Sequence, residues 1–360
     1  MTGCLYLLLV LSYFNSLQCG YQLRFVQIVW RHGDRTPMHS YPTNQVNWPQ
    51  GLAQLTKLGM KQQYELGSYM RRRYAKFLSS HYYKDEIFIY SGQPDRLIQS
   101  ALANMAGLYP PSTWQIFEKG LSWQPIPVHI TEESQIIIDE VIHSCPMWSK
   151  LNEIVQSQPD YKAAMKDAKP MMRYLSKYTG EQVDFIGTLP GIANIFYCEK
   201  IHNITFPKWF ESVNYEKLQY YYKFHVLKEF ALYEQSYLIA GPLLYSIREN
   251  FVNFTEKSGI AKKLIIYSGH DTNIYPILNV LKVFNDQLVP TAGALFFEIY
   301  SSPDNDYVRL SYRNDTNVEP FALKLPDCNY KEYCPIQTFL DILKNLSYSY
   351  KNISTKCKTD

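Results

Sequence analysis

The chain has 360 residues, 46% of them hydrophobic, and a formal net charge of only +3. That length and apolar content suffice for one large core or two smaller ones and exclude a disordered chain. With no basic run beyond Arg71, Arg72 and Arg73, a nucleic-acid partner has no electrostatic support, and those three arginines read as a solvated helix face.

The first twenty residues, MTGCLYLLLVLSYFNSLQCG, carry an apolar stretch from Leu5 to Phe14 followed by small and polar residues. This is the pattern of a secretory signal peptide, with cleavage expected after Cys19 or Gly20. The run is well short of the roughly 20 residues a membrane-spanning helix needs, and no later segment is apolar enough, so residues 21–360 are expected to carry no membrane span. Sequons at Asn203, Asn253, Asn314, Asn345 and Asn352 fit the same route. Of seven cysteines, Cys4 and Cys19 belong to the leader. Cys145, Cys198, Cys328, Cys334 and Cys357 remain, which in an oxidising compartment means two bridges and one leftover thiol. Neither their spacing nor the scattered histidines form a zinc pattern, and no metal is expected.

After the leader, LRFVQIVW (Leu23 to Trp30) is apolar on both parities, as a strand covered on both faces should be. A loop follows, then a long helical pattern in which Leu55, Leu58, Leu66, Tyr69, Met70 and Phe77 share one face. DEIFIYSG (Asp85 to Gly92) is a second strand with a helix after it, and two βα units in succession argue for a parallel sheet in an α/β fold. From about residue 110 to 230 the texture is proline, tryptophan and amphipathic segments without a clear strand, which reads as an inserted, mainly helical cap. The parallel pattern resumes at KKLIIYSG (Lys262 to Gly269) and runs into a helix. There Pro276 is tolerable only in the first turn, so Thr272 or Asn273 is expected to cap. ALFFEIYSS and YVRLSYRND read as closing strands in a hairpin across PDND.

Three strands thus end in polar clusters: Arg31 to Arg35 (RHGDR), Asp95 with Arg96, and His270 with Asp271. In open α/β sheets, ligands sit beyond the carboxyl ends of the strands. A guanidinium beside an imidazole disfavours imidazolium, so His32 should be neutral and nucleophilic below its usual pKa. Paired arginines and helix N-termini both suit an oxyanion, and phosphate is the obvious candidate.

The segments FVQIVWRHGDRTP, WPQGLAQLTKLGMKQQYELG, PDR, WQPIPVH, YCEKIHN and KKLIIYSGHDT together resemble the histidine acid phosphatases, branch 2 of the histidine phosphatase superfamily, of the prostatic and lysosomal type. The resemblance spans essentially Leu23 to Cys357. It implies a phosphoglycerate mutase-like α/β core with an inserted helical cap, and hydrolysis of phosphate monoesters through a phosphohistidine. Carried over by position, His32 is the nucleophile and Arg31, Arg35, Arg96 and His270 clamp the phosphoryl oxygens. Asp271 is the general acid and then the base for the attacking water. No metal or other cofactor is implied, because the arginines supply the charge. The resemblance also implies a bridge from Cys145 to Cys357 and another from Cys328 to Cys334.

The chain departs from the family in two places. Where relatives read RSTD-x-DRT this sequence has YSGQPDRLI, so Tyr90 replaces the leading arginine while Arg96 keeps its place. The usual partner of Cys198 is here Ala294, which leaves Cys198 free or paired between chains. Relatives form homodimers, and WQPIPVH, around Trp123 and His129, resembles their interface. The expected setting is secreted or the lysosomal lumen. A specialised phosphatase for inositol phosphates or lysophospholipids is the second enzyme reading. A catalytically dead secreted binding glycoprotein is the third, opposed by the joint presence of His32, Arg35, Arg96, His270 and Asp271.

Overall fold

In the computed structural model, the first strand after the leader, β1 (Gln22–Arg31), is buried along Phe25 to Trp30 on both faces. The structure describes residues 20–140, 145–185, 187–256, 262–315 and 318–359, so the leader, 1–19, lies outside the described residues. Strand β1 is central: it pairs in parallel with β3 (Leu264–Gly269) and antiparallel with β4 (Ala294–Ser301). With β2 (Ile87–Ser91), β5 (Asp306–Arg313) and β6 (Phe321–Ala322), the order is β2-β3-β1-β4-β5-β6, and β7 (Cys334–Pro335) pairs with β5. The parallel strands are the three expected, and β4 and β5 form the expected hairpin.

Alternation along β1 sorts its side chains between two layers. Val26, Ile28 and Trp30 pack with Leu66, Met70 and Met105 of helices α1 (Lys57–Arg73) and α2 (Asp95–Leu108). Phe25 and Val29 face a larger core. That core also contains Leu243, Ile247 and Ile274. Between β2 and β3 the described residues form mostly helices: α3 (Pro146–Ser157), α4 (Pro159–Thr179), α5 (Thr188–Ile201), α6 (Tyr215–Lys228) and α7 (Tyr233–Thr255). Helix α7 lies on the sheet through Leu243 and Ile247, whereas α4, α5 and α6 build a separate core around Tyr161, Leu189, Phe196 and Tyr221. Helix α8 (Asp271–Val280), which carries Ile274, follows β3, and α9 (Ile336–Leu346) lies near the C-terminal end.

Three local expectations change. Helix α1 starts after its cap, Thr56, so Leu55 precedes it and Phe77 follows it, and Leu58 is exposed while Leu66, Tyr69 and Met70 are buried. The arginine run is not a solvated face, because tertiary partners claim two of its members. Arg73 makes a two-pronged ion pair with the fully buried Glu298 of β4, at 2.9 Å on each prong, and Arg71 donates to the carbonyls of Leu78 and Ser79. Helix α8 is capped by His270 rather than Thr272 or Asn273, because the Asn273 amide oxygen accepts the His270 N–H at 2.7 Å and holds the helix start there. Pro276 then falls in the second turn, where it supplies no N–H to the ladder.

The bridges Cys145–Cys357 and Cys328–Cys334 are both formed, and Cys198 is a free, buried thiol on α5. The first ties the start of α3 to the C-terminal tail across 212 residues. Burial pushes the Cys198 thiol up to about 11, which leaves little thiolate for exchange near neutrality. A thiol reagent should therefore find nothing in the native, unreduced, leader-free protein and one cysteine per chain after denaturation. A disulfide-linked dimer on a non-reducing gel would instead show Cys198 paired between chains.

Candidate active site

Three strand ends build the site. At the end of β1, the His32 N–H donates to the Gly269 carbonyl at the end of β3 (2.9 Å), and the His32 carbonyl accepts from Ala292 N–H (3.1 Å). The ring is fixed as firmly as the backbone, because Nδ1 lies 2.7 Å from the Gly33 carbonyl oxygen. A carbonyl only accepts, so Nδ1 carries the proton and Nε2 keeps its lone pair. Residue 33 must be glycine here: a Cβ would lie 2.3 Å from the Gly59 carbonyl oxygen of α1. Burial, and after it the charges of Arg31, His270, Arg35 and Arg96, hold the His32 pKa well below the usual histidine value. The imidazole is therefore neutral on the acid side of neutrality, with Nε2 unprotonated and its lone pair available.

The arginines surround this ring. Arg31 reaches Asp271 Oδ2 with one guanidinium nitrogen at 3.0 Å and donates another to the Val289 carbonyl, while Gln63 Nε2 holds its backbone oxygen at 2.8 Å. Arg35 is braced by Asn194 Oδ1 and the Thr36 carbonyl, both at 3.0 Å. Arg96 stands in the first turn of α2, where burial and then the neighbouring Arg35 charge push it down to about 10. The guanidinium stays charged at any working pH, but it is an uncomfortable cation. The Nε atoms of Arg31, Arg35 and Arg96 are all buried without an acceptor among the described residues. Orphaned donors of this kind are expensive unless a ligand oxygen completes them.

On α8, the His270 ring stands edge-on to His32, with centroids 5.6 Å apart, and its Nε2 is 3.1 Å from Asp139 Oδ1. Burial lowers the His270 pKa although Asp139 pulls the other way. Asp271 is the first residue of α8, and its Oδ1 accepts from Thr272 N–H at 3.0 Å. Arg31, His32, Arg35, Arg96, His270 and Asp271, the six residues singled out from the sequence, all line one cavity of about 440 Å³. A neutral nucleophile, three guanidiniums and the N-termini of α2 and α8 suit attack on a tetrahedral oxyanion.

Two further residues were not anticipated. Asp139 enters the cavity from a single wide turn, Ile136–Glu140. Its sequence neighbours, three isoleucines, suggest only an amphipathic helix. Asp34 is buried within the RHGDR motif itself, where Oδ2 accepts from Thr56 Oγ (2.5 Å) and lies 2.7 Å from His202 Nε2. Its backbone carbonyl also accepts the Thr56 N–H at 3.0 Å. One carboxylate thus ties the loop carrying His32 to the cap of α1 and to the end of α5. Asp34→Ala would leave those donors unpaired and should cost about 2–4 kcal/mol of stability, read as a lower denaturation midpoint. It should also reduce phosphate affinity through a loosened Arg35, and an unchanged midpoint with unchanged phosphate affinity would refute the bracing role.

Comparison with known proteins shows the family to which the chain belongs. The chain is 34% identical to prostatic acid phosphatase of Bos taurus over 351 residues, covering 94% of this chain and 89% of that protein. It is also 34% identical to lysosomal acid phosphatase of Homo sapiens over 328 residues, 88% of this chain and 76% of that one. Among solved structures, the phytase from Citrobacter braakii superposes with a TM-score of 0.69 at 18% identity, covering 94% of this chain and 100% of that one. Hafnia alvei phytase in complex with myo-inositol hexakis sulphate superposes with a TM-score of 0.68 at 19% identity, covering 95% and 99%. Residues 22–313 match the Histidine phosphatase superfamily (branch 2), and the chain belongs to that family.

Proposed function

We propose that this protein is an acid phosphatase that hydrolyses phosphate monoesters through a covalent phosphohistidine on His32. The observation that carries the reading is the His32 ring, its Nδ1 committed to the Gly33 carbonyl and its Nε2 free in a cavity lined by three arginines. Nε2 attacks phosphorus as the ester P–O bond breaks, and Asp271 gives its proton to the departing oxygen. The Asp271 carboxylate then takes a proton from water, the resulting hydroxide attacks phosphorus, and the N–P bond breaks to release phosphate. Arg31, Arg35, Arg96 and His270 hold the phosphoryl oxygens through both steps. The depressed His32 pKa supports work on the acid side, since the nucleophile stays unprotonated there.

The remaining assignments follow the same reading. Residues 1–20 are a secretory leader, and the protein acts outside the cell or in the lysosomal lumen on small-molecule or phosphoprotein substrates. Among the described residues no helix is long and apolar enough to cross a membrane. Asn203, Asn345 and Asn352 are exposed and Asn253 and Asn314 half-buried, all accessible to some degree as glycan acceptors. The helical segment at about 110–230 is the cap, supported by the cavity residues Asp139 and Glu229 that it contributes.

Rapid quenching in alkali should trap phosphate on His32, because phosphoramidates survive base, and His32→Ala should abolish both label and turnover. Asp271→Asn should cripple hydrolysis of alkyl phosphates far more than that of nitrophenyl phosphate, whose leaving group departs unprotonated. With the base for water also lost, a burst of nitrophenolate followed by slow turnover should appear. Label on another residue, or equal losses on both substrate classes without a burst, would refute these roles.

A homodimer is part of the proposal. Trp114 and Phe117 are 68% and 62% exposed, and Ile116 and Leu121 are exposed beside them, an apolar patch next to the half-buried Trp123. Trp114→Asp with Phe117→Asp should convert a dimer to a monomer in sedimentation, and a wild-type monomer would remove the interface.

A further inference from the structure

Resting on that reading, we propose that Asp139 determines substrate class, turning this site toward phosphomonoesters whose alcohol carries an ammonium group and away from substrates with a second phosphate. Its place is built rather than incidental. Oδ1 faces His270 Nε2 at 3.1 Å, and Oδ2 accepts the Gln93 N–H at 2.6 Å. The wide turn that presents it is fastened by Asn273 Nδ2, which donates to the Ile138 carbonyl at 3.1 Å. Residue 92 is glycine, and a Cβ there would lie 2.4 and 2.5 Å from the two Asp139 oxygens. Gly92 therefore leaves open the space that the Asp139 carboxylate occupies.

A carboxylate with two of its acceptor positions used retains others. Asp139 lines the same cavity as His32 and Arg96, so a further donor beside a bound phosphate can reach it. A second carboxylate, Glu229 at the end of α6, lines the cavity too, and its Oε1 lies 3.4 Å from His225 Nε2. Among the described residues no lysine and no arginine other than Arg31, Arg35 and Arg96 lines it. Those three are committed to the first phosphate, so a second would meet carboxylates where it needs cations. Ile137, Ile138 and Ile239 supply apolar wall for a short methylene stem. An alkylammonium alcohol matches both features.

The test compares 2-aminoethyl phosphate with its uncharged isostere propyl phosphate, near pH 5–6, where the amine is charged. The wild-type protein should show a kcat/KM ratio of about 5–10 in favour of the amine, the size expected for one partly solvated ion pair. Asp139→Asn should bring that ratio most of the way to one, Glu229→Gln part of the way, and Asp139→Glu should retain some of it. The ratio is immune to general loss of activity, because both substrates share the chemical step. myo-Inositol hexakisphosphate should be cleaved less efficiently than propyl phosphate. A wild-type ratio near one, a ratio unmoved by both neutralising variants, or preferential cleavage of the hexakisphosphate overturns the inference. Hydrolysis of neither monophosphate, with no label on His32, overturns the reading of the site and the inference with it.

Discussion

The site depends on backbone meeting backbone at pairs of glycines. Gly33 in the turn after β1 and Gly59 in the first turn of α1 touch so closely that a Cβ on Gly33 would lie 2.3 Å from the Gly59 carbonyl oxygen, and one on Gly59 2.1 Å from that of Asp34. Further along, α1 and α2 cross through Gly67 and Gly107, each with a neighbouring carbonyl 2.0–2.1 Å from where its Cβ would be. Contacts of this kind leave no room for side chains to adjust. They set the distance from His32 to α1, from α1 to α2, and so from His32 to Arg96 in the first turn of α2. Gln62 and Gln63 of α1 add hydrogen bonds to Asp34 N–H and the Arg31 carbonyl, so one helix holds both flanks of His32. Substitutions at these glycines act on catalysis by displacing backbone.

That rigidity allows three guanidiniums to share a small cavity without collapsing onto protein acceptors. Arg31 is compensated by Asp271 and Arg35 is braced by a neutral amide, whereas Arg96 is pushed down to about 10 by burial and its neighbours. An anion that accepted from their orphaned Nε–H groups would relieve that unfavourable assembly. The same charges, after burial itself, keep His32 neutral. One arrangement therefore both gathers positive charge around the cavity and keeps the imidazole unprotonated, and neutralising any of the arginines would weaken both effects.

Much of this was legible in the sequence, for a physical reason. A strand buried on both faces is an uninterrupted apolar run, so β1 and β3 announce themselves, and the polar residues that follow must lie at the carboxyl edge of the sheet. Arg31, His32, Arg35, His270 and Asp271 stand out that way, whereas Arg96, in the helix after β2, owes its assignment to the resemblance of PDR to the family motif. What stayed hidden depends on partners distant in the chain. Arg73 reads as solvated until Glu298, 225 positions away, is folded against it. His270 as the cap of α8 depends on the Asn273 side chain turning back, which a propensity for Pro276 in the first turn does not anticipate. Asp139 is concealed by three isoleucines whose spacing suggests an ordinary amphipathic turn, and only a widened turn rotates the carboxylate into the cavity.

The loop after β2 shows how one short segment serves both the sheet and the cavity. Position 90 belongs to the strand, and the Tyr90 ring stacks on Tyr267 of β3 with centroids 5.4 Å apart, away from the cavity-lining set. Arg96 is placed by the helix and by the Gly67–Gly107 crossing, and the loop packs against that same first turn, since a Cβ on Gly92 would lie 2.6 Å from Leu97 Cδ1. Between these two anchors, Gly92 donates its N–H to the Ser268 carbonyl at 3.3 Å, and its missing side chain and the Gln93 N–H receive Asp139. Strand pairing, helix crossing and the loop between them thus hold Tyr90, Asp139 and Arg96 in one frame. The carboxylate that enters the cavity and the arginine that lines it are therefore both held by one continuous stretch of chain, from the end of β2 to the first turn of α2.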